Sequence, residues 1–206
     1  PTTGIYTLSL HDALPIWCVR KANAGLSAAR NTGIREASHP FIAFLDADDV
    51  WCPGHLEAVI AAFGRLGDSV GLVATKCDRI DAQGVPLAQT QRDGAVHGAL
   101  DVRDIVLRTW FAPSAAVVRR AAFDACGGFD ETLTSSEDRD MWIRVGMHFG
   151  IHLLPDVLVH FRNHASSMSK NADRMKRNTG AVIRKARQAG VVPKTQIGRA
   201  SCRERV

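Results

Sequence analysis

A short apolar run that ends in a cluster of aspartates constrains the fold of this chain most. Phe41–Leu45 reads FIAFL without polar alternation, and Asp46, Asp48 and Asp49 follow it almost directly. Such a run is typical of a strand that is buried on both faces of a parallel sheet. In open α/β sheets, ligands bind beyond the carboxyl ends of the strands. The aspartates are therefore the first candidate site.

The segments around this run predict helices that alternate with strands. Apolar residues recur at helical spacing over about Leu26–Ala37, and again after Pro53. Further apolar runs predict strands at Val70–Ala74 and Val157–Phe161. The remaining predicted elements are helices after Asp101, before Gly127 and after Ser136, and a short strand at Ala115–Val118. This order predicts an α/β domain with a mainly parallel central sheet and flanking helices.

Composition narrows the class of protein. The 206 residues suit about one domain, and 46% hydrophobic with 23% charged residues is typical of globular proteins. The net charge of +5 is too small to indicate a nucleic-acid partner, so none is expected. The 5 cysteines are scattered without a CxxC pair, which predicts reduced thiols and a cytoplasmic location.

The two ends of the chain differ from its middle. Residues 1–16 and 195–206 resemble translated sequencing-adaptor sequence, so we predict two non-native segments there. Between them we predict a domain over residues 17–169 and a basic helical tail over residues 170–194. A solvated face is one interpretation of this tail. The other is a peripheral contact with the anionic inner face of a membrane.

The paired aspartates suit a hard metal ion. Asp46 and Asp48 would share a face if their segment is extended. Two carboxylates on one face suit Mg²⁺ or Mn²⁺ together with a substrate phosphate. An aspartate-rich turn without a ligand is the alternative. A calcium EF-hand loop is excluded because Val50 and Trp51 replace the fifth-position ligand and the required glycine.

Three motifs together resemble family 2 glycosyltransferases of the GT-A fold. The segment Asn23–Gly33 (NAGLSAARNTG), followed by FIAFLDADDVW, is similar to the central motif of that family. Cys126–Glu131 (CGGFDE) and Ser136–Trp142 (SEDRDMW) resemble its acceptor-side motif, and Phe161–His164 (FRNH) resembles its C-terminal arginine-and-histidine segment. The resemblance covers about residues 18–170.

The resemblance implies a donor site. Asp48 is expected to bind the Mg²⁺ or Mn²⁺ ion that bridges a nucleotide diphosphate, with Asp46 and His164 as further candidate ligands. Asn23, Arg30 and Asp46 are expected to contact the nucleotide-sugar donor. For His164, the alternative is a partly buried, hydrogen-bonded histidine near the end of a strand.

The resemblance also implies a catalytic base, Asp138, with Glu137 beside it. Asp138 shares a helical face with the apolar Met141 and Trp142, so partial burial would raise its pKa. The helix N-terminus would lower the same pKa, and the sequence leaves the balance open. The alternative is that Glu137 and Asp138 are only favourable first-turn carboxylates.

These features predict an inverting transfer of a sugar from a nucleotide-diphosphate donor to an acceptor hydroxyl. The expected acceptor is a saccharide or a lipid-linked saccharide, in surface polysaccharide or glycolipid synthesis. A sugar-phosphate nucleotidylyltransferase and a non-catalytic binding module are the alternatives. The family's first strand, nucleotide-binding loop and second strand do not precede Asn23. We therefore predict a GT-A fold that lacks its first βαβ unit and leaves an exposed edge at Phe41–Leu45. We expect such a chain to be inactive alone.

Overall fold

Helices and strands alternate in the computed structural model, which describes residues 5–8, 16–87, 96–164 and 170–192. The strands are β1 (Ile5–Leu8), β2 (Ile16–Val19), β3 (Phe41–Ala43), β4 (Val50–Trp51), β5 (Val70–Ile80), β6 (Gly98–Leu100), β7 (Ala116–Arg119) and β8 (Gly150–Arg162). The helices are α1 (Leu26–Glu36), α2 (His55–Leu66), α3 (Val102–Leu107), α4 (Arg120–Cys126), α5 (Glu137–Gly146) and α6 (Ala172–Gln188). The α/β class is therefore confirmed.

The main sheet is mixed, so the prediction of a mainly parallel sheet is wrong. Its order is β3-β7-β5-β8-β4, with β6 also paired to β8. Only the β5–β8 pairing is parallel among the described strands of this sheet. Since β7 runs antiparallel to both β3 and β5, the strands β3, β5 and β8 still point the same way. Their carboxyl ends therefore lie toward one edge of the sheet.

The prediction of strand direction is wrong because the strands are buried on both faces, and such burial gives an apolar run in parallel and antiparallel strands alike. Leu72 and Val118 belong to the larger apolar cluster, whereas their strand neighbours Val73 and Val117 belong to a second cluster beneath α2. A strand covered on both faces needs apolar residues at every position, whichever way its neighbours run. Each fully buried valine or leucine stabilises the fold by about 1.5–3 kcal/mol.

The predicted elements are recovered, with shifted ends. The strand predicted to end at Ala74 continues to Ile80, and the strand predicted to start at Val157 begins at Gly150. These two strands, β5 and β8, pair along most of their length, so the backbone ladder extends through polar residues. In contrast, β3 ends at Ala43, two residues earlier than predicted, and the turn at the aspartates follows shortly after it. The strands β1 and β2 form a separate antiparallel pair, and the prediction of a non-native segment over residues 1–16 stays a prediction.

The basic tail forms α6 and packs against the body of the protein. Val182 and Ala186 on its apolar face are buried in the main core, and the helix contacts α3 and α5. A membrane contact of this helix would therefore depend on its charged face. In the described parts of the chain, no helix is long and apolar enough to cross a membrane.

An interlock between α1 and the segment after α4 ties two of the sequence motifs together. Asn31 Nδ2 donates to the carbonyl oxygen of Phe129 at 2.9 Å, and Asn31 Oδ1 accepts from the Phe129 N–H at 2.7 Å. Gly128 lies directly against this amide, and a Cβ atom at that position would collide with it. Glycine is thus required at position 128 for close approach and not for an unusual φ.

We expect Gly128→Ala to lower the free energy of unfolding by about 1–3 kcal/mol, as overpacking does. The matched control is Gly33→Ala in α1, where a Cβ atom would meet nothing within 4 Å. This control should raise the free energy of unfolding by about 0.5–1 kcal/mol, because alanine suits a helix better. Urea unfolding midpoints measure both variants. Equal shifts in the two variants would contradict the interlock.

Candidate functional site

One buried arginine joins the aspartate cluster to the start of α5. Arg30, on α1, donates from Nη1 to Glu137 Oε1 at 2.8 Å and from Nη2 to Asp46 Oδ1 at 2.8 Å. Its side chain is 6% exposed, and Glu137 lies 107 residues away in sequence. The planar guanidinium group keeps its charge and presents several donors at once, so it can serve both carboxylates.

The aspartate cluster forms a turn, and the prediction of an extended segment is wrong. The Asp49 N–H donates to the carbonyl oxygen of Asp46 at 3.1 Å, which closes the turn. Asp46 then faces Arg30, whereas Asp48 Oδ2 lies 2.8 Å from His164 Nε2. The alternating-face argument for Asp46 and Asp48 therefore does not apply.

The carboxylate of Asp49 holds the turn in place, although the sequence analysis gave Asp49 no role of its own within the aspartate cluster. Its carboxylate is buried and accepts from Ser114 Oγ at 2.5 Å and from the Arg162 N–H at 2.9 Å. Burial raises the pKa of Asp49 above its ordinary value, although these two hydrogen bonds oppose the rise. Ser114 also accepts from the Asp46 N–H at 3.1 Å, so it supports both ends of the turn. The only sequence signal for Asp49 is its place between a charged turn and the apolar pair of β4.

The end of β8 brings a histidine and an arginine to the same turn. The Arg162 guanidinium group donates to the carbonyl oxygens of Asp48 at 2.8 Å and Asp81 at 3.0 Å. It thereby ties the turn to the end of β5, while His164 and Asp48 remain partly exposed to solvent. Of the predicted metal ligands, Asp48 and His164 are together, and the Asp46 carboxylate is hydrogen-bonded to Arg30.

The Asp48–His164 pair can be tested for its fit to a metal ion. The described residues contain no group of three or more histidine, cysteine, aspartate or glutamate side chains that could hold a metal by themselves. Mg²⁺ needs no such group, because it keeps waters and binds through one or two carboxylates plus substrate phosphates. A partly exposed carboxylate with an adjacent imidazole nitrogen fits this partial ligand set.

The start of α5 carries the two candidate catalytic carboxylates. Glu137 is 7% exposed in its side chain, and burial raises its pKa despite the opposing Arg30. Burial also raises the pKa of Asp138, although the Arg139 N–H donates to its Oδ1 at 2.8 Å. Burial therefore has a larger effect on the pKa of Asp138 than the hydrogen bonds and the nearby arginines, which lower it. A carboxylate with a raised pKa is a better proton acceptor.

The position of Asn23 differs from that of the other predicted donor contacts. It is exposed, and its side chain accepts from the Gly25 N–H at 3.0 Å in a local turn before α1. This hydrogen bond lies directly before the first turn of α1, the helix that carries Arg30. The donor contact expected of Asn23 stays a prediction.

Comparison with known proteins gives a consistent family. The model of glycosyl transferase family 2 matches residues 10–127. A pre-mycofactocin glycosyltransferase of Mycobacterium tuberculosis is 36% identical over 128 residues, which cover 59% of this chain and 26% of that protein. An uncharacterised glycosyltransferase of Bacillus subtilis is 26% identical over 166 residues, which cover 80% of this chain and 61% of that protein. The chain therefore spans from about a quarter to three fifths of these relatives.

Solved structures share the fold at lower sequence identity. The structure of Staphylococcus aureus TarS 1-349 in complex with UDP-GlcNAc superposes with a TM-score of 0.57 and 19% identity, over 71% of this chain and 42% of that chain. The complex of the same TarS fragment with UDP gives a TM-score of 0.55, over 77% of this chain and 45% of that chain. At this identity, the likeness supports the fold alone.

We expect Asp138→Asn to make the protein more stable at pH 7. A pKa raised above its ordinary value of 3.8 means that the folded state disfavours the charged carboxylate. The stability that Asp138 contributes is therefore complete below its unfolded pKa and lost as the pH rises through the folded pKa. Asparagine stays neutral and can still accept from the Arg139 N–H.

Urea unfolding at pH 4 and pH 7 measures this effect, with the difference between variant and wild type growing toward pH 7. The control is Asp68→Asn, whose carboxylate is 97% exposed and should change the pH dependence little. An Asp138→Asn protein no more stable than the wild type at pH 7 would show that burial does not disfavour this charge.

Proposed function

The chain belongs to glycosyl transferase family 2, and from this membership we propose that it carries the site of a sugar transfer from a nucleotide-diphosphate donor to an acceptor hydroxyl. The observation that carries the proposal is the contact of Arg30 with both Asp46 and Glu137, which joins the aspartate turn to the start of α5. The solved relative TarS binds UDP-GlcNAc, which supports a nucleotide-sugar as the donor. Family membership speaks against the nucleotidylyltransferase alternative.

For the donor, we propose that the diphosphate lies at the turn after β3. Asp48 and His164 would hold a Mg²⁺ or Mn²⁺ ion there, and Asp46 with Arg30 would face the donor sugar and ribose. When bound, such an ion supplies positive charge that neutralises the departing nucleoside diphosphate. Ser114 and Arg162 hold the turn in place, so the side chains that face the donor are oriented before it binds.

For the acceptor, we propose Asp138 as the base in an inverting displacement. The acceptor oxygen forms a bond to the anomeric carbon while the bond from that carbon to the diphosphate oxygen breaks. The acceptor proton passes to the Asp138 carboxylate, which burial makes more basic. Glu137 is less suited to this step because Arg30 already neutralises it at 2.8 Å.

For the setting, we propose surface polysaccharide or glycolipid synthesis at the cytoplasmic face of a membrane. The support is the charge of α6, whose exposed positions include Lys176 and Arg177. Basic side chains of this kind attract anionic lipid surfaces, where lipid-linked saccharides reside. A saccharide or lipid-linked acceptor is consistent with such a location.

The metal proposal predicts that Mn²⁺ binds through Asp48 and His164. We expect Asp48→Ala to weaken Mn²⁺ binding by at least tenfold and His164→Gln to weaken it less, since a carboxylate carries the charge. Paramagnetic broadening of the NMR signals of residues near the turn, followed during a Mn²⁺ titration, measures this. Asp68→Asn is again the control. Equal broadening in the wild type and in Asp48→Ala would exclude this site.

The base proposal predicts a separation of turnover from donor binding. In this chain extended by the βαβ unit that the sequence analysis predicts to be missing, Asp138→Asn should lower turnover by at least about 10²-fold, since a positioned base contributes about 10²–10⁴-fold. The donor Kd should barely change, because Asp46 and Asp48 lie on another segment. Glu137→Gln should lower turnover less. Near-normal turnover in Asp138→Asn would place the base elsewhere and leave a non-catalytic role for this carboxylate.

A further inference from the structure

The residue before the two candidate catalytic carboxylates has an unusual backbone conformation. Ser136 has φ 58° and ψ 19°, and it is the only residue other than glycine with positive φ in the described parts of the chain. Its side chain does not cap the first turn of α5, as serine at this position commonly does. A side-chain-bearing residue stays in this region only when its surroundings hold it there.

The surroundings that hold Ser136 come from α6. The hydroxyl groups of Ser136 and Thr179 are hydrogen-bonded at 3.0 Å. One residue earlier, Ser135 Oγ donates to the carbonyl oxygen of Arg174 at 3.4 Å. Asn178 Nδ2 donates to Thr134 Oγ1 at 3.1 Å. Two turns of α6 therefore contact three consecutive residues that lead into α5.

The same helix also supplies charge to the first turn of α5. That turn carries three carboxylates, on Glu137, Asp138 and Asp140. Arg30 neutralises Glu137, while Lys185 of α6 lies 2.5 Å from Asp140 Oδ1. The Asp140 side chain is 3% exposed and also accepts from Arg144 at 2.9 Å, within α5 itself. Asp138 is the carboxylate of this turn whose hydrogen bond comes from a backbone N–H, that of Arg139.

Lys185 has a second partner, which fixes the loop before α5. Its ammonium group lies 2.9 Å from Asp130 Oδ2, and Asp130 also accepts from the Thr132 N–H. Burial tends to raise the pKa of Asp130, but the hydrogen bonds from Lys185 and Thr132 outweigh it and lower the pKa to about 2. Lys185 thus connects Asp130 and Asp140, one on each side of Ser136.

We propose that α6 is a positioning clamp for the transfer reaction, with Thr179 and Lys185 as its positioning residues. Thr179 holds the left-handed backbone at Ser136, and this sets the direction in which Glu137 and Asp138 leave the helix start. Lys185 compensates the buried charge of Asp140, so that Asp138 stays ionised and able to accept a proton. The proposal rests on the proposed function, and it makes the basic tail a part of the site.

The role of Thr179 in orienting the start of α5 is tested with Thr179→Val, which keeps the shape of the side chain and removes its hydroxyl group. In the same extended chain we expect kcat to fall about 5–10-fold, the equivalent of one lost hydrogen bond, with the donor Kd unchanged. Thr179→Ser should restore kcat. The control is Val182→Ala, a core residue of the same helix that destabilises the protein but should leave kcat within about twofold.

The role of Lys185 in compensating the charge of Asp140 is tested with Lys185→Met. With Asp140 less compensated, Asp138 should bind its proton more tightly, so the acidic limb of the pH–rate profile should move to higher pH. The positive charge is retained in Lys185→Arg, which should keep the wild-type profile. If the acidic limb in Lys185→Met stays at the wild-type pH, the proposed role of Lys185 is wrong.

A readout without catalysis separates failure of the clamp from failure of the proposed function. The Asp140 N–H donates to the carbonyl oxygen of Ser136 at 3.2 Å in the first turn of α5. Hydrogen exchange of this N–H should become faster in Thr179→Val than in Val182→Ala, even if both variants lose equal global stability. Equal exchange in the two would overturn the clamp. An extended chain with no transferase activity would overturn the proposed function, whatever the exchange shows.

Discussion

The candidate site depends on one buried positive charge. The Arg30 guanidinium group is almost wholly removed from water, and it is stable there because Asp46 and Glu137 each accept from it at 2.8 Å. Either carboxylate left without it would be a partly or fully buried charge with no compensation, which destabilises a fold strongly. Three distant segments, α1, the turn after β3 and the start of α5, therefore have to assemble together. A lysine would replace this arginine poorly, since its ammonium group lacks the planar fork that presents a separate nitrogen to each acid.

The candidate site consists of turns and strand ends at one edge of the main sheet, and the sheet holds them in place. The strands β3, β5 and β8 run in one direction, so Arg162 at the end of β8 can bind both the turn after β3 and Asp81 beyond β5. Asp49 directs the turn inward through Ser114 and the backbone of Arg162. The side chains of Asp48 and His164 are partly exposed to solvent, so they are accessible from outside. A buried acid that holds the backbone, Asp49, thus directly follows a partly exposed acid, Asp48.

The three carboxylates at the start of α5 differ in whether a cation pairs with them. Arg30 pairs with Glu137, and Arg144 with Lys185 pairs with Asp140, so these two acids contribute mainly to structure. Asp138 accepts from a backbone N–H instead, and burial raises its pKa above the ordinary value. The contribution of Lys185 means that the C-terminal helix is packed into the domain through both its apolar and its charged residues.

Local features were decided by the sequence. The spacing of Met141, Trp142 and Val145 predicts the buried face of α5, and Asp101 predicts the cap of α3, because both depend on residues within a turn or two of one another. The motifs likewise predict roles for Arg30, Asp48 and Asp138, and these roles stay predictions. Tertiary structure alone decided the strand directions, the turn at Asp46, the burial of Asp49 and the docking of α6. Each of these depends on partners far away in the chain, and an apolar run or a carboxylate has the same local pattern whichever distant group it meets.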